Sequence, residues 1–157
     1  MGDWIEAGKK APDFTLATDS GTKVKLSSLR GGPVVLYFYP RDDTPGCTKE
    51  ACAFRDQHKS LKKAGATVLG VSPDDVASHA KFRDKFKLNF PLLADPGHKV
   101  AEKYGSWREK NMYGKKSMGI QRSTFLIDSD GRIAKLWKRV KVDGHDTAVL
   151  AAISELE

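Results

Sequence analysis

Two cysteines, Cys47 and Cys52, stand five residues apart in the stretch Pro40 to Phe54, PRDDTPGCTKEACAF. Their surroundings make the first of them a candidate nucleophile. Thr44 is a favourable N-cap and Pro45 suits the first helical position, so Gly46 and Cys47 fall in the opening turn of a helix, where backbone N–H groups lack carbonyl partners. The unpaired N–H groups and the helix dipole favour a thiolate at that place. Glycine at 46 leaves room for a small anion to approach the same N–H groups. Most free cysteines are small buried apolar residues. The address of Cys47 at a helix start argues for reactivity instead.

The spacing to Cys52 excludes a C-x-x-C motif. His58, His79, His98 and His145 stand singly at long intervals, without the paired spacing of structural zinc, so no metal site is expected. What remains is a reactive cysteine with a second within reach, which suits a thiol that is oxidised and then resolved by forming a disulfide. In an intact helix the two Cα atoms lie about 8–9 Å apart and about 140° apart around the axis, whereas a disulfide usually needs roughly 4.4–6.8 Å. Closing the bond therefore requires the helix to unwind from about Thr44 to Phe54.

The elements that must position this pair follow from the flanking patterns. The run Pro33 to Tyr39 is continuously apolar and rich in β-branched and aromatic residues, as expected of a central strand buried on both faces. The helix after it continues to about Ala64, with Lys62 and Lys63 at the negative end of the dipole and Gly65 suited to the C-cap. Cys47, Ala51, Phe54, His58 and Leu61 fall on one stripe of it. His58 is about three turns from Cys47, too far for contact, and reads as a packed or boundary histidine. A strand over Thr67 to Val71 completes a β-α-β unit with parallel strands, which puts the helix start at the carboxyl end of the sheet, where α/β folds place their chemistry.

Upstream, Phe14 to Thr18 and Thr22 to Leu26 alternate around Asp19-Ser20-Gly21 and predict an edge hairpin, with a short helical turn over Leu26 to Arg30. Downstream, Ser72-Pro73-Asp74-Asp75 reads as N-cap, first-position proline and acidic first turn of a helix to about Phe86, which places His79 toward the core. Phe90 to Ala94 is a short strand, and Asp95-Pro96 opens a short helix ending near Gly105. Residues from Ser106 to Gly119 show no periodicity and read as a loop that covers a site or is plain surface. Arg122 to Ile127 and Arg132 to Val140 form a hairpin around Asp128-Ser129-Asp130-Gly131. The last helix follows Asp143-Gly144, with Val149, Ile153 and Leu156 on its buried face. This order predicts an α/β, thioredoxin-like fold: a central mixed β-sheet flanked by helices, with an N-terminal β-hairpin and an inserted segment.

Arg122 stands as a charge inside an otherwise apolar strand and needs a partner. One reading is a salt bridge to Glu50, the other a cation beside Cys47 that stabilises the thiolate and binds an oxygen-rich ligand. A guanidinium has donors for both.

At 157 residues, 39% apolar and 30% charged, the chain reads as one domain, residues 1–157, large enough for a real core. MGDWIEAG has no basic region before an apolar run, and no apolar stretch has membrane-spanning length, so a soluble protein of the reducing cytoplasm is expected. An organelle-targeted protein lacking its transit peptide fits the same reading. The formal charge of +7 is spread along the chain and mixed with acids, which points to a solvated surface and not to a nucleic-acid partner.

Pro40, Thr44 and Cys47 resemble the P-x-x-x-T/S-x-x-C motif of peroxiredoxins, and TPGCTKEAC resembles the subgroup called peroxiredoxin Q or bacterioferritin comigratory protein. The resemblance extends from Ala11-Pro12-Asp13-Phe14 to Gln121-Arg122-Ser123-Thr124-Phe125-Leu126-Ile127-Asp128, with no departure at the motif positions. It implies a peroxidase in which Cys47 is the peroxidatic cysteine and Cys52 the resolving one, joined in a disulfide. Pro40, Thr44, Gly46 and Arg122 would shape the peroxide pocket, with the Thr44 oxygen accepting from the Cys47 side and its hydrogen reaching the substrate. Hydrogen peroxide or organic hydroperoxides as substrates, thioredoxin or a similar dithiol as donor, and a monomer complete what the resemblance implies; no cofactor is expected. A redox sensor would use the same oxidation without needing to turn over.

Overall fold

The computed structural model of the chain describes residues 3–156 and is built on a seven-stranded mixed sheet. Its elements in order are β1 (Thr15–Thr18), β2 (Lys23–Lys25), a 3-10 turn (Leu26–Leu29), β3 (Val34–Phe38), α1 (Pro45–Lys63), β4 (Thr67–Ser72), α2 (Val76–Phe86), β5 (Leu92–Ala94), α3 (Lys99–Tyr104), β6 (Trp107–Met112), β7 (Lys115–Ile120), β8 (Ser123–Ile127), β9 (Ile133–Trp137) and α4 (His145–Ser154). The sheet order is β2-β1-β5-β4-β3-β8-β9. The strands β5, β4 and β3 run parallel, and the pairs β1–β2, β1–β5, β3–β8 and β8–β9 are antiparallel. This is the thioredoxin-like plan the sequence predicts, with its N-terminal hairpin at one edge.

The apolar run of β3 serves two cores because successive side chains of a strand point to opposite faces. Val35, Tyr37 and Tyr39 enter one core with Cys47, Ala51, Phe54 and Leu61 of α1 and Val149, Ala152 and Ile153 of α4. Val34, Leu36 and Phe38 enter the other with Val100, Ala101 and Tyr104 of α3. Aromatic packing fixes α1 against β3, with the rings of Tyr37 and Phe54 5.0 Å apart. Burial of each such side chain contributes about 1.5–3 kcal/mol, so the helix that carries both cysteines is held along its apolar stripe. At its far end Gly65, at φ 81, donates its N–H to the Lys62 carbonyl and ends the helix in the left-handed conformation that glycine adopts freely. Among the described residues, no helix is long and apolar enough to cross a membrane.

Several elements differ from the sequence reading. Residues 106–120 are not an irregular loop: β6 and β7 pair in register from Trp107↔Ile120 to Met112↔Lys115 as a separate two-stranded sheet. Five charged side chains, Arg108, Glu109, Lys110, Lys115 and Lys116, interrupt any apolar alternation there, which hides the strands from a periodicity test. The helix α2 starts at Val76 with Asp75 as its N-cap, accepting from the Ser78 N–H at 2.8 Å; Ser72 instead ends β4. The helix α3 starts at Lys99, since Asp95 and Pro96 form a turn in which Asp95 accepts from the N–H groups of Val100 and Ala101. The strand β9 stops at Trp137, and Leu156 lies past α4 and is exposed, leaving His145, Val149, Ala152 and Ile153 as that helix's buried residues.

Candidate active site

Thr44 occupies the N-cap position of α1 with extended backbone (φ −100, ψ 156), and Pro45 is the first helical residue. The Thr44 side chain makes no cap hydrogen bond; its hydroxyl donates to the Arg41 carbonyl at 2.9 Å. This corrects the expectation that the hydroxyl would accept from the Cys47 side and hand its proton to a substrate: the loop takes that proton. Thr44 therefore does not cap the N–H groups of the first turn, which leaves donors at the helix end where a negative charge is stabilised.

Cys47 follows in that turn as a buried free thiol, and Cys52, also a free thiol, is half-buried about one turn and a half along the same helix. Arg122 reaches Cys47 from the β8 side of β3, next to the carboxyl end of that strand. It is not inside a strand, as the pattern suggested, but in the two-residue link, Gln121 and Arg122, between β7 and β8. The backbone of this link is pinned: the Gln121 N–H donates to the Ser106 carbonyl at 2.7 Å and the Val140 N–H donates to the Arg122 carbonyl at 3.1 Å. From this fixed base the guanidinium donates from Nη2 to Cys47 Sγ at 3.2 Å and from Nη1 to Glu50 Oε1 at 2.7 Å. The two readings of Arg122, ion pair and cation beside the sulfur, are thus both present in one side chain. Gly46 admits it: a Cβ at that position would stand 3.0 Å from Arg122 Nη2. The room left by glycine is taken up, on that side, by the cation.

Burial pushes the Glu50 carboxyl up to about 7, with the charge and hydrogen bond of Arg122 pulling it partly back. Burial of Arg122 works against its charge, but Glu50 and Cys47 outweigh this and its pKa is raised. The second carboxylate oxygen of Glu50 is buried without a partner among the described residues, and so is the hydroxyl of Tyr37, whose pKa is raised well above 10 by burial and then by the charges of Glu50 and Cys47. Glu50 entered the sequence reading only as a partner for Arg122. Its place on the buried stripe, three residues after Cys47, was the signal that it belongs to the site itself.

Lys110 of β6 was missed altogether. It is half-buried, and its amine pKa is lowered by desolvation and by the charge of Arg122, with the charge of Cys47 acting in the opposite sense. The β6–β7 hairpin therefore brings a second cation into the field of the thiol. Pro40 is half-buried at the end of β3, ahead of the N-cap. The four histidines do not gather around Cys47: His58 is half-buried with its pKa lowered by burial and Lys62, and His145 accepts or donates at Thr124 Oγ1, 2.8 Å away, with its pKa lowered to about 4 by burial. Spacing alone also gave no hint that Asp42, Asp74 and His79 converge, with potential ligand atoms within 4.8 Å of one another.

The arrangement is a buried thiol at an open helix N-terminus, with a guanidinium on the sulfur and a carboxylate holding the guanidinium. Such a site activates a thiolate and can stabilise negative charge leaving a nearby oxygen.

Comparison with known proteins gives the same direction. The family model described as AhpC/TSA family matches residues 7–136. A protein of Coxiella burnetii (strain RSA 493 / Nine Mile phase I) named as a Bcp peroxiredoxin is 54% identical over 149 residues, covering 95% of this chain and 99% of that protein. Peroxiredoxin Bcp of Bacillus subtilis (strain 168) is 51% identical over 152 residues, covering 97% of each. A solved structure of the Xanthomonas campestris bacterioferritin comigratory protein, described in connection with alkyl peroxide reduction and a trapped intermediate/ligand complex, superposes with a TM-score of 0.90 at 41% identity, covering 96% of this chain and 99% of that one.

Proposed function

The chain belongs to the AhpC/TSA family as a thiol peroxidase of the peroxiredoxin Q or Bcp kind, and on that premise we propose that Cys47 reduces hydroperoxides and Cys52 resolves the product. The observation that carries the assignment is the bridging guanidinium: Arg122 donates to Cys47 Sγ and is held by Glu50. A cation in contact with the sulfur favours the thiolate over the thiol and remains beside it as charge moves to the departing oxygen.

The reaction runs in three balanced steps. The Cys47 thiolate attacks one peroxide oxygen; an S–O bond forms as the O–O bond breaks, the sulfur gives up an electron pair, and the departing oxygen leaves as water or an alcohol after taking up a proton. Cys47 is then a sulfenic acid. The Cys52 thiol attacks it, the S–S bond forms and water leaves, before a second peroxide can carry the sulfur on to sulfinic acid. An external dithiol, thioredoxin or a protein like it, returns two electrons and two protons and is itself left as a disulfide. Hydrogen peroxide and organic hydroperoxides are the substrate class; the alkyl peroxide chemistry attached to the Xanthomonas relative supports the second of these. Gly46 contributes by admitting Arg122, Thr44 by closing the loop onto Arg41, and Pro40 by ending β3 ahead of that loop. We assign the working form as a monomer of the reducing cytoplasm.

The two cysteines sit on one intact helix, so resolution requires α1 to open at its start. Ideal helix geometry puts their Cα atoms about 8–9 Å apart, beyond the roughly 4.4–6.8 Å of a disulfide. A coupled assay of NADPH, thioredoxin reductase, thioredoxin and peroxide tests the cycle: catalytic NADPH oxidation is expected, and a single stoichiometric burst with no turnover contradicts it. In the same assay Cys52→Ser should consume about one equivalent of peroxide and, under excess, accumulate sulfinic acid at Cys47. The absence of that product by mass spectrometry would remove the resolving role from Cys52.

A further inference from the structure

The loop between β3 and α1 carries a second polar cluster on the side away from Arg122. Asp42 is buried, and both of its carboxylate oxygens are occupied: Oδ1 accepts from the Tyr39 hydroxyl at 2.5 Å, and Oδ2 accepts from Ser78 Oγ at 2.8 Å and lies 2.7 Å from His79 Nδ1. The backbone N–H of Asp42 donates to Asp74 Oδ2 at 2.7 Å, an oxygen that also accepts from Ser72 Oγ at 2.8 Å. The other ring nitrogen of His79, Nε2, lies 2.9 Å from the Leu93 carbonyl. Both ring nitrogens of His79 thus face oxygen acceptors, the Leu93 carbonyl on one side and the Asp42 carboxylate on the other. These atoms are all engaged with one another, which makes the group a clamp and not a vacant cation site.

What the clamp joins gives it a purpose. Tyr39 follows β3, Asp74 lies in the turn between β4 and α2, Ser78 and His79 belong to α2, and Leu93 belongs to β5. None of them is on α1. Immediately after Asp42 the chain takes the left-handed conformation at Asp43, with φ 56, a costly choice for an L-residue that surrounding contacts must hold in place. Asp43 is also paired with Lys85 of α2 at 2.8 Å, and Thr44 then closes on Arg41. The N–H groups of the first turn of α1 are therefore aimed from a point fixed to the sheet and α2, while Arg122 approaches from the β7–β8 link.

We propose that Asp42, held by Tyr39, Ser78 and His79, is the positioning residue that stops the unwinding of α1 on its N-terminal side and returns Cys47 to Arg122 after each reduction. The inference rests on the Cys47–Cys52 cycle described above. A loosened clamp acts oppositely on the two halves of that cycle. The folded turn is populated less, so attack of Cys47 on peroxide slows; the open turn is populated more, so disulfide formation with Cys52 quickens.

Single-turnover rapid mixing with hydrogen peroxide, reading sulfenic acid formation and disulfide formation separately, tests this in the full chain. In Asp42→Asn one acceptor becomes a donor and faces either the Tyr39 hydroxyl or the Ser78–His79 pair. The expected result is a roughly tenfold fall in the peroxide rate constant, comparable to the loss of one charge-assisted hydrogen bond, with a rise in the resolution rate. Tyr39→Phe keeps the ring and removes only the hydroxyl; it should show the same split more weakly and serves where Asp42→Asn does not fold. Both rates unchanged, or both falling together, in the folded variants overturns the clamp. Wild-type protein measured alongside separates this outcome from the premise: if it forms the Cys47–Cys52 disulfide while the variants show no split, only the clamp fails, whereas a wild type that forms no such disulfide defeats the cycle itself.

Discussion

Around Asp42 both carboxylate oxygens, both ring nitrogens of His79 and the backbone N–H of the loop have partners at 2.5–2.9 Å. Around Cys47, five residues further on, the N-cap residue gives the helix no side-chain hydrogen bond, one oxygen of Glu50 and the hydroxyl of Tyr37 are buried without partners among the described residues, and the Glu50 carboxyl is pushed up to about 7. Unsatisfied buried polar groups each cost about 1–3 kcal/mol, so the reactive turn is held less firmly than the loop that leads into it. The contrast suits a cysteine that must present itself to a peroxide and then leave. A saturated network resists movement, and an under-paired one loses less when it opens.

The comparison can be broken most severely at the sulfur. Cys47→Ser should abolish peroxide reduction, because a serine hydroxyl is not ionised at neutral pH and does not displace a peroxide oxygen; steady-state turnover near the wild-type level would place the chemistry elsewhere. Arg122→Met removes the cation from both Cys47 and Glu50. It should lower the peroxide rate constant by roughly 10²-fold, the scale of losing one donor to a developing oxyanion, and reduce the thiolate absorbance at neutral pH. If rate and absorbance both stay put, the guanidinium serves only the fold. Gly46→Ala puts a methyl group 3.0 Å from Arg122 Nη2, so the guanidinium must give way by a few tenths of an ångström. A loss of about three- to tenfold in the peroxide rate constant is expected, near 1 kcal/mol, with little change in the urea midpoint.

The remaining effect is on stability and not on the peroxide step, and it concerns pH. Glu50 is raised from 4.5 to about 7 in the folded protein. Between these values the folded state holds a proton that the unfolded state has released, so this group's contribution to stability falls as pH rises through that window. His145, lowered from 6.5 to about 4, works the other way, with stability rising as pH increases from about 4 to 6.5. Glu50→Gln removes only the first slope, so the stability difference between variant and wild type isolates it. That difference should move in favour of the variant by about 2 kcal/mol between pH 5 and 8. Urea unfolding at the two pH values gives the number; a constant difference would mean that Glu50 is ionised throughout.

Much of this is legible in the amino-acid sequence, for identifiable reasons. The two-faced burial of β3 is written in a run of seven apolar or aromatic residues from Pro33 to Tyr39, and the helix start in Thr44-Pro45. Local signals of this kind survive folding because they act on neighbours. The β6–β7 hairpin was invisible because its strands carry charge instead of an apolar face, and Tyr113-Gly114 turns it with positive φ at both residues. The start of α2 was misplaced since Ser72-Pro73-Asp74-Asp75 offers two possible caps, and the length of β4 decides between them. Glu50 was half-seen, as a partner for Arg122. The Asp42–His79 clamp is not readable in the sequence: Asp42 lies more than thirty residues from Asp74, Ser78 and His79, and only the pairing of β3, β4 and β5 brings them together.

Amide hydrogen exchange on the reduced protein and on protein treated with one equivalent of hydrogen peroxide tests the contrast between anchor and reactive turn most directly. The account predicts that protection is lost on oxidation from Thr44 to Phe54 and kept at Asp42 and through α2, with the boundary falling between Asp42 and Thr44. Equal protection from Cys47 to Phe54 in both states would show that the helix does not open, and exchange rising equally at Asp42 and His79 would show that nothing holds the loop while it does.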